Sequence, residues 1–323
     1  MENIGKQIAE AALEIKAITL SPDDPYTWAS GFRMPIYNDN RRLLNSYEHR
    51  MLVANGFKDI VKSENIPVDY ILGTSTAGIA PAASIAELLD VPLVIMEEGK
   101  AYDCRRGIRA ETKPELEYDV VASTCPWAIP HGVFMANYKK LPFMYVRQKK
   151  KGHGLKQQIE GIPERDKKAL LIGFHKGEGY VDAAADALLK EGVIPLIQIY
   201  GDMTEIIKEV SIKGKNVLVI EDLISTGGSS AEAVQSARDA GGIVNYLLSI
   251  FNYGLDKAVK AFGSLPEKCE VRSLLIYDIL LDTAKETGSL IDEQVKLLGE
   301  WRADPYNWGE KHGFPKVEKG EKK

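Results

Sequence analysis

The chain has 323 residues, of which 45% are hydrophobic and 27% are charged, and its formal net charge is −5. This is the composition of a globular protein whose core is large enough to need no disulfide or metal for stability. The negative charge argues against a general affinity for nucleic acid or for anionic membranes. The three cysteines are odd in number and form no C-x-x-C pair, which favours a reducing cytoplasm over a zinc site or a disulfide framework.

The first twenty residues combine Ile4, Ile8 and Ile15 at helical spacing with several charged side chains. This pattern predicts an amphipathic helix and is not typical of a signal peptide. No apolar run in the sequence reaches the ~18 residues that a membrane-spanning helix requires. We therefore expect a cytoplasmic protein that binds neither membranes nor nucleic acid.

Short apolar runs alternate with alanine-rich segments through most of the chain. This alternation predicts an α/β fold with a mostly parallel central sheet flanked by helices. Ligands of such sheets bind at the carboxyl ends of the strands, so we expect the chemistry in the loops that follow strands. We predict one domain over residues 1–315, with a disordered tail rich in Lys, Glu and Gly at 316–323. The predicted strands are 70–72, 93–96, 120–122, 143–146, 169–172, 194–199, 217–220 and 246–251, and the predicted helices are 80–89, 182–189 and 231–240.

Two pairs of segments look like imperfect copies of each other. The first pair aligns without gaps at an offset of 50 and the second at an offset of 48. Either a duplication or the insertion of βα units of the same class explains the matches. Both explanations predict insertions near 98–140 and 162–213 that enlarge the sheet. The aligned pairs are 69–96 with 119–146, and 167–185 with 215–233.

A turn of glycines and hydroxyl residues, Gly73-Thr-Ser-Thr-Ala-Gly-Ile79, follows the first of these predicted strands. Its copy, Ser123-Thr-Cys-Pro-Trp-Ala-Ile129, has lost the glycines. Backbone N–H groups of small residues can approach an anion closely, whereas Pro126 lacks an N–H and Trp127 is bulky. The sequence leaves both copies as candidates for the site, and this chemistry favours the first.

A cluster of cations flanked by glycines lies at Arg147-Gln-Lys-Lys-Lys-Gly-His-Gly154. In an acidic protein, such a cluster suits a flexible lid over pyrophosphate, where negative charge builds as a bond breaks. A basic run is also typical of a solvated surface. His153 lies between two glycines, which indicates a loop position and not a place in the core.

The sharpest motif runs from Val217 to Ser230, where a buried strand leads into Glu221 and Asp222 and then into a turn of hydroxyl and glycine residues. Glycines let backbone N–H groups approach an anion, and the N-terminus of the following helix favours negative charge. Two carboxylates beside a phosphate site make sense if a ribose lies there, because carboxylates accept hydrogen bonds from vicinal hydroxyls and stabilise developing positive charge. The alternative is an ordinary βα turn with solvated acids.

The copy of this motif, Gly173-Phe-His-Lys-Gly-Glu-Gly179, has Gly173 and Phe174 where the two acids stand. It cannot hold a ribose in the same way. We interpret His175 and Lys176 as non-catalytic.

The motif Glu221-Asp-Leu-Ile-Ser-Thr-Gly-Gly-Ser229 resembles the 5-phosphoribosyl 1-pyrophosphate (PRPP) signature of the type I phosphoribosyltransferases. Further segments are similar to those of the orotate phosphoribosyltransferases within that family, and the resemblance spans about residues 10–310. The spacing Arg-x3-Lys-x-His of the family's catalytic loop is kept, whereas Met34 stands where the N-terminal pattern has serine. The similar segments are 30–41, 73–79, 147–161, 251–255 and 301–308.

The resemblance implies a role for each matching residue. Catalysis falls to Lys151, His153 and Asp222. PRPP binding falls to Arg147, Lys151, His153, Glu221, Asp222, Leu223, Ile224, Ser225, Thr226, Gly227, Gly228 and Ser229, with the acid pair on the ribose hydroxyls and 225–229 on the 5′-phosphate. Orotate binding falls to Ser225, Ser30, Arg33 and Tyr37, and the pyrophosphate loop is Thr74, Ser75, Thr76, Ala77 and Gly78.

The resemblance also implies a type I phosphoribosyltransferase fold with a small hood built from N- and C-terminal segments, the former over residues 1–45. It implies transfer of ribose 5-phosphate from PRPP to orotate in a homodimer with shared active sites. Mg²⁺ is expected to arrive bound to PRPP, with no direct protein ligand.

Three alternatives remain: a phosphoribosyltransferase for another base, a PRPP-binding regulatory protein, and a binding protein with an inactive site. Segments 30–41 and 147–161 argue against the first, the net charge against the second, and the intact acid pair and glycine loop against the third.

Overall fold

The computed structural model describes residues 2–28, 31–104, 117–124, 126–147, 158–175, 180–202 and 207–317. Among these residues, no helix combines the length and the apolarity needed to cross a bilayer. The strands are β1 Ile18–Leu20, β2 Tyr26–Thr27, β3 Arg33–Met34, β4 Ile36–Asn38, β5 Tyr70–Gly73, β6 Leu93–Glu97, β7 Lys100–Asp103, β8 Val120–Thr124, β9 Phe143–Val146, β10 Ile159–Glu160, β11 Lys168–His175, β12 Ile194–Asp202, β13 Lys208–Val210, β14 Val217–Ile224, β15 Tyr246–Asn252 and β16 Glu270–Ile276.

The helices lie between these strands and at both ends of the chain. They are α1 Glu2–Glu14, α2 Tyr47–Ser63, α3 Ile79–Leu89, α4 Ile129–Lys139, α5 Tyr180–Lys190, α6 Gly228–Asp239, α7 Asp256–Gly263, α8 Tyr277–Glu286, α9 Asp292–Ala303 and α10 Trp308–Lys311, with a 3-10 helix at Asn40–Asn45. All eight predicted strands occur, as do the predicted N-terminal helix and the three other predicted helices, which confirms the α/β class.

The larger sheet has seven strands in the order β13-β7-β6-β5-β14-β15-β16, and β6, β5, β14, β15 and β16 are parallel. Strand β14, the middle one of these five parallel strands, is buried on both faces. Leu218 and Ile220 pack into the core that contains α3, while Val217 and Val219 pack against Val234 of α6. Burial on both faces explains why this strand is a continuous apolar run and does not alternate with polar residues.

The expectation of one enlarged sheet is wrong, because the extra βα units build a second sheet of five strands in the order β10-β9-β8-β11-β12. The free edge beside β6 is not available to them. A turn at Glu98 and Gly99, both with positive φ, sends β7 back antiparallel to β6, and β13 pairs with the far side of β7. The first sheet is therefore closed to further parallel strands on this side.

The two sheets repeat one arrangement, since the order β6-β5-β14-β15 in the first corresponds to β9-β8-β11-β12 in the second. Helices α3 and α4 have the same bounds at the offset of 50. Both end at a residue in the left-handed region, Asp90 with φ 56° and Lys140 with φ 54°. Equivalent hydrogen bonds recur as well. The N–H of Asp69 donates to the Asn216 carbonyl at 2.8 Å, and the N–H of Asp119 to the Lys168 carbonyl at 2.8 Å.

One hydrophobic core lies between the two sheets and joins the inner faces of both. It holds Ile71 and Ile220 from the first sheet together with Val121 and Leu170 from the second. Helices α3 and α4 pack against each other inside it. The outer face of each sheet has its own smaller core.

The N- and C-terminal segments form a hood whose centre is a cluster of aromatic rings. The ring of Trp301 lies 6.4 Å from that of Trp28 and 5.6 Å from that of Tyr253. Met34 is fully buried here, and its Sδ accepts a hydrogen bond from Trp301 Nε1 at 3.0 Å. The residue that replaces the serine of the family pattern therefore packs in the hood core.

Candidate active site

A cleft of about 740 Å³ opens at the carboxyl ends of β5 and β14, which is within the usual range for small-molecule sites. Both sheets and the hood contribute to it. It is lined by Tyr37, Asn38, Asp39, Arg41, Leu72, Gly73, Thr74, Ser75, Thr76, Ala77, Met96, Arg147, Glu221, Asp222, Leu223, Ser229, Glu232, Ala233 and Ser236.

Glu221 is held in place by three donors. Its Oε1 accepts from the hydroxyl of Thr74 at 2.7 Å and from the backbone N–H of Asp222 at 2.9 Å, and its Oε2 accepts from the hydroxyl of Ser230 at 2.9 Å. A carboxylate offers about four lone-pair positions. One acceptor position therefore remains on a side chain that is already oriented toward the cleft.

Asp222 follows on the same strand and stays partly exposed to the cleft. Burial raises the pKa of its carboxyl well above the usual range, and the adjacent charge of Glu221 raises this pKa further. Its backbone carbonyl accepts a hydrogen bond from Asn40 Nδ2 at 2.7 Å. The strand end is thus fixed from the hood side, while the carboxyl group can respond to a ligand of opposite charge.

The glycine loop after β14 turns directly into α6. Gly227 has φ +75°, a conformation that favours glycine, and a Cβ at this residue would lie close to Ala258 Cα at 3.0 Å. Helix α6 begins at Gly228, where a Cβ would meet open space. Ser229 lines the cleft. Backbone N–H groups at a helix N-terminus beside small residues form a site for an anion.

The small-residue loop Gly73–Ile79, rather than its copy Ser123–Ile129, contributes to the cleft, as the chemistry of the two copies favours. Thr74 to Ala77 line it. Gly78 lets this loop approach β14, since a Cβ there would lie 2.5 Å from the Ile220 carbonyl oxygen. In the second copy, Ser123 is fully buried and Trp127 packs edge-on against Tyr102 with ring centroids 5.5 Å apart.

The second sheet contributes Arg147 to the cleft, immediately after β9. Its guanidinium pairs with Glu160 of β10, which is 3% exposed, and the same Glu160 oxygen pairs with Arg41 of the hood. Arg41 also pairs with Asp39. Tyr145 lies beneath this group, and burial raises the pKa of its hydroxyl. One buried carboxylate therefore joins two arginines that come from different parts of the chain.

The predicted site residues divide into four groups. The cleft is lined by Tyr37, Thr74, Ser75, Thr76, Ala77, Arg147, Glu221, Asp222, Leu223 and Ser229. Gly78 directly follows a lining residue, and Ile224, Ser225, Thr226, Gly227 and Gly228 lie in the chain between two lining residues. Ser30, Lys151 and His153 lie outside the described residues. Arg33 is not brought to the cleft, because its Nε donates to the Pro25 carbonyl at 3.1 Å and its guanidinium lies over the ring of Phe314.

Six polar residues of this region were not among the predicted site residues. The cleft is lined by Asn38, Asp39, Arg41, Glu232 and Ser236, and Glu160 connects Arg41 to Arg147. The signal was present in part, because Asn38, Asp39, Arg41 and Glu160 belong to the segments 30–41 and 147–161 that carry the resemblance.

In the second sheet, the position equivalent to the acid pair is closed to a ligand, because packed side chains fill it. A Cβ on Gly173, the counterpart of Glu221, would lie 2.5 Å from Val181 Cγ2. Phe174, the counterpart of Asp222, packs edge-on against His131 at 4.9 Å between ring centroids. Burial lowers the pKa of His131 to about 4. His175 is the last residue of β11, and Lys176 lies outside the described residues.

An acid pair at the end of a parallel strand, a glycine loop at a helix N-terminus and a small-residue loop opposite define the type I phosphoribosyltransferase class. The chain is 31% identical over 306 residues to the orotate phosphoribosyltransferase of Lactococcus lactis subsp. lactis (strain IL1403), covering 95% of this chain and 99% of that protein. It is 32% identical over 307 residues to the enzyme of that name from Listeria innocua, with coverage of 95% and 99%. The chain belongs to the orotate phosphoribosyltransferase family.

Solved structures give weaker likenesses. A UMP synthase from Leishmania donovani is 16% identical, with a TM-score of 0.49, over 92% of this chain and 42% of that one. An orotate phosphoribosyltransferase from Francisella tularensis is 12% identical, with a TM-score of 0.46, over 91% and 93%. No family model matches the chain.

Proposed function

We propose that this protein transfers the ribose 5-phosphate of PRPP to orotate, giving orotidine 5′-monophosphate and pyrophosphate in pyrimidine biosynthesis. The observation that carries this proposal is the cleft itself, where Glu221 and Asp222 share one lining with Ser229 of the glycine loop, with residues 73–77 and with Arg147. A phosphorylated sugar with a second anionic group at its other end matches this order of groups.

In the proposed reaction, N1 of orotate attacks the anomeric carbon as the bond to pyrophosphate breaks. The transition state has oxocarbenium character, so catalysis needs positioning and electrostatic stabilisation and does not need a nucleophilic side chain. Glu221 and Asp222 accept hydrogen bonds from the ribose hydroxyls, and residues 225–229 bind the 5′-phosphate. Asp222 also stabilises the positive charge that develops on the sugar.

The leaving pyrophosphate is neutralised by cations. We assign this role to Arg147, which lines the cleft, and, on the resemblance alone, to Lys151 and His153. The loop from Thr74 to Gly78 offers N–H and hydroxyl donors to the same group. On the orotate side, Tyr37 lines the cleft, whereas Arg33 is engaged with Pro25 and Phe314, and Ser30 and Ser225 keep their predicted role.

We infer that Mg²⁺ is the cofactor. Mg²⁺ keeps several waters and is usually bound through substrate phosphates, so an ion carried in on PRPP needs no direct ligand from Glu221 or Asp222, which lie in the same cleft. When bound, the ion would neutralise charge on the pyrophosphate. Glu221 and Asp222 orient the ribose of PRPP.

A cytoplasmic location and a homodimer are also proposed. The location is supported by Cys104 and Cys269, which are buried free thiols among the described residues and suit a reducing compartment. The homodimer is supported by the resemblance to the family, and sedimentation of the purified protein measures it.

The test is the loss of orotate absorbance when the protein is mixed with PRPP and Mg²⁺. Wild-type turnover that is lost in Asp222→Asn supports the reaction and the site. Asp186→Asn, the same change on the exposed face of α5, is the matched control and is expected to keep wild-type turnover. If PRPP binds while orotate is not consumed, the orotate assignment is wrong; consumption of another base would then indicate a different phosphoribosyltransferase.

A further inference from the structure

We propose that one chain completes its active site from two unequal halves of itself, a catalytic half and a donor half. The catalytic half is the seven-stranded sheet with its helices, and the donor half is the five-stranded sheet with α4 and α5. This proposal rests on the proposed function, since it concerns how that site is completed. The sharing that the resemblance implies between subunits takes place here between halves of one polypeptide.

The two halves face each other as the subunits of a two-fold dimer do. In a two-fold contact the same patch meets itself, and equivalent residues near the axis touch each other. Glu87 and Asn137 are equivalent at the offset of 50, and Asn137 Nδ2 donates to Glu87 Oε2 at 2.9 Å. The pseudo-axis therefore passes near these two side chains, between α3 and α4.

The contacts away from this axis are reciprocal. Arg147, just after β9 of the donor half, lines the cleft with residues 73–77 of the catalytic half. In the other direction Tyr102, on the hairpin after β6 of the catalytic half, packs against Trp127 in the corresponding loop of the donor half. In each half, the segment after one strand (β9 or β6) thus lies near the equivalent loop of the other half (73–79 or 123–129).

The contact has the character of a permanent interface, because it is built as a core. Apolar side chains of both halves share one cluster. Arg50 of α2 is 3% exposed and bonds across the contact to Asn137 Oδ1 at 3.0 Å and to the Leu141 carbonyl at 2.6 Å. Interfaces of obligate dimers resemble a domain core divided in two in this way.

The two halves have lost complementary parts of the site. The catalytic half has Glu221 and Asp222, but at the end of β6 it has Glu97 at the position equivalent to Arg147. The donor half has Arg147, but Gly173 and Phe174 replace the acids. The retained parts meet in one cleft, and the equivalent position in the donor half is filled by Phe174 and His131. Each chain accordingly holds one complete site, and neither half is complete alone.

The experiment is a complementation test with two inactive variants, Asp222→Asn and Arg147→Ala. They are co-expressed with different affinity tags, purified through both tags where hybrids form, and assayed together and separately. If sites were shared between chains, each hybrid two-fold dimer would hold one intact site of two and would restore about half of wild-type turnover. We expect no turnover above the sum of the separate variants, because no chain then holds both residues. Restoration toward half would overturn the proposal.

Controls separate this result from a failure of the proposed function. Wild-type turnover is measured first, and its absence would count against the orotate reaction alone. PRPP affinity is then read in the same mixtures by calorimetry, which needs no turnover. If some sites in the mixture bind PRPP with wild-type affinity, the proposal is overturned. If all sites bind PRPP more weakly than in the wild type, the proposal is supported. Arg147→Lys, which keeps the charge, checks that loss at this position is not loss of folding.

Discussion

Thr74 and Glu221 are joined by a hydrogen bond of 2.7 Å between the threonine hydroxyl and Oε1 of the carboxylate. Thr74 directly follows β5, and Glu221 lies in the neighbouring parallel strand β14. This bond ties the small-residue loop to the acid pair, so the groups assigned to pyrophosphate and to ribose are held as one unit. Their relative position is set before any substrate binds.

Replacing Thr74 with valine removes this donor from a position that is 7% exposed. Glu221 Oε1 then keeps only the N–H of Asp222 as a donor, and a hydrogen bond to a charged group contributes about 1.5–3 kcal/mol. We expect the free energy of unfolding in urea to fall by this amount and kcat/KM for PRPP to fall with it. Thr74→Ser keeps the hydroxyl and is the matched control. Equal behaviour of the two variants would show that the hydrogen bond is not what matters.

Outside the acid pair, Glu160 is the acidic residue whose replacement we expect to lower the free energy of unfolding most. Removing one partner of a buried ion pair leaves an uncompensated charge and costs about 3–5 kcal/mol. Glu160→Ala removes the carboxylate that pairs with Arg147 and leaves Arg41 with Asp39 alone, and we expect the unfolding free energy to fall by an amount within that range. Glu160→Gln keeps hydrogen-bond acceptors and should fall less. Glu209→Ala, which removes an exposed pair with Lys100, should change stability little.

The raised pKa of Asp222 predicts how stability depends on pH. A carboxyl whose pKa is higher in the folded than in the unfolded state stabilises the fold fully below its unfolded pKa of 3.8 and loses that contribution as pH rises through the folded pKa. Asp222→Asn removes the titration, so its stability relative to wild type should increase from pH 4 to pH 8. The gain is about 1.4 kcal/mol per unit of pKa shift. Urea unfolding at several pH values measures it, and a pH-independent difference would contradict this assignment.

Gly173→Ala tests whether packing closes the donor half. The added Cβ would lie 2.5 Å from Val181 Cγ2, and overpacking of this kind costs about 1–3 kcal/mol. We expect the melting temperature to fall while turnover per folded chain stays unchanged. Gly299→Ala, in a helix where the Cβ meets open space, should be neutral or slightly stabilising. Loss of turnover without loss of stability would instead place Gly173 in the chemistry.

Lys151 lies outside the described residues, and its role stays a prediction from the sequence. Loss of one charge-assisted contact to the leaving group is worth about 2–4 kcal/mol in the transition state. We expect Lys151→Ala to lower kcat by about 30- to 1000-fold with little change in unfolding free energy. Lys190→Ala, at the exposed end of α5, is the control. An unchanged kcat would remove Lys151 from the mechanism.

The elements most visible in the sequence were those buried on both faces. Strands such as β14 are continuous apolar runs because helices cover both sides of the sheet. Strand β16, Glu270–Ile276, was not predicted, because it carries Glu270 and Arg272 at a half-exposed edge. The short strands β7, β10 and β13 were also missed, since two to four residues give no measurable period.

The acid pair and the glycine loop could be predicted because they are contiguous in the sequence. The bridge from Arg41 through Glu160 to Arg147 could not, because it depends on how the hood meets the second sheet. The offsets of 50 and 48 did indicate two similar units. They did not indicate two separate sheets, since the β7 hairpin that closes the first sheet lies outside the aligned segments.

The hydrogen bond from Asn137 to Glu87 has a consequence for folding. Because both side chains belong to one polypeptide, the surfaces they join meet at an effective concentration on the order of millimolar, set by the linking chain. Association of separate subunits depends instead on the protein concentration, and the melting temperature of such an oligomer shifts with that concentration. Docking of these two halves is a first-order step, so dilution does not separate them.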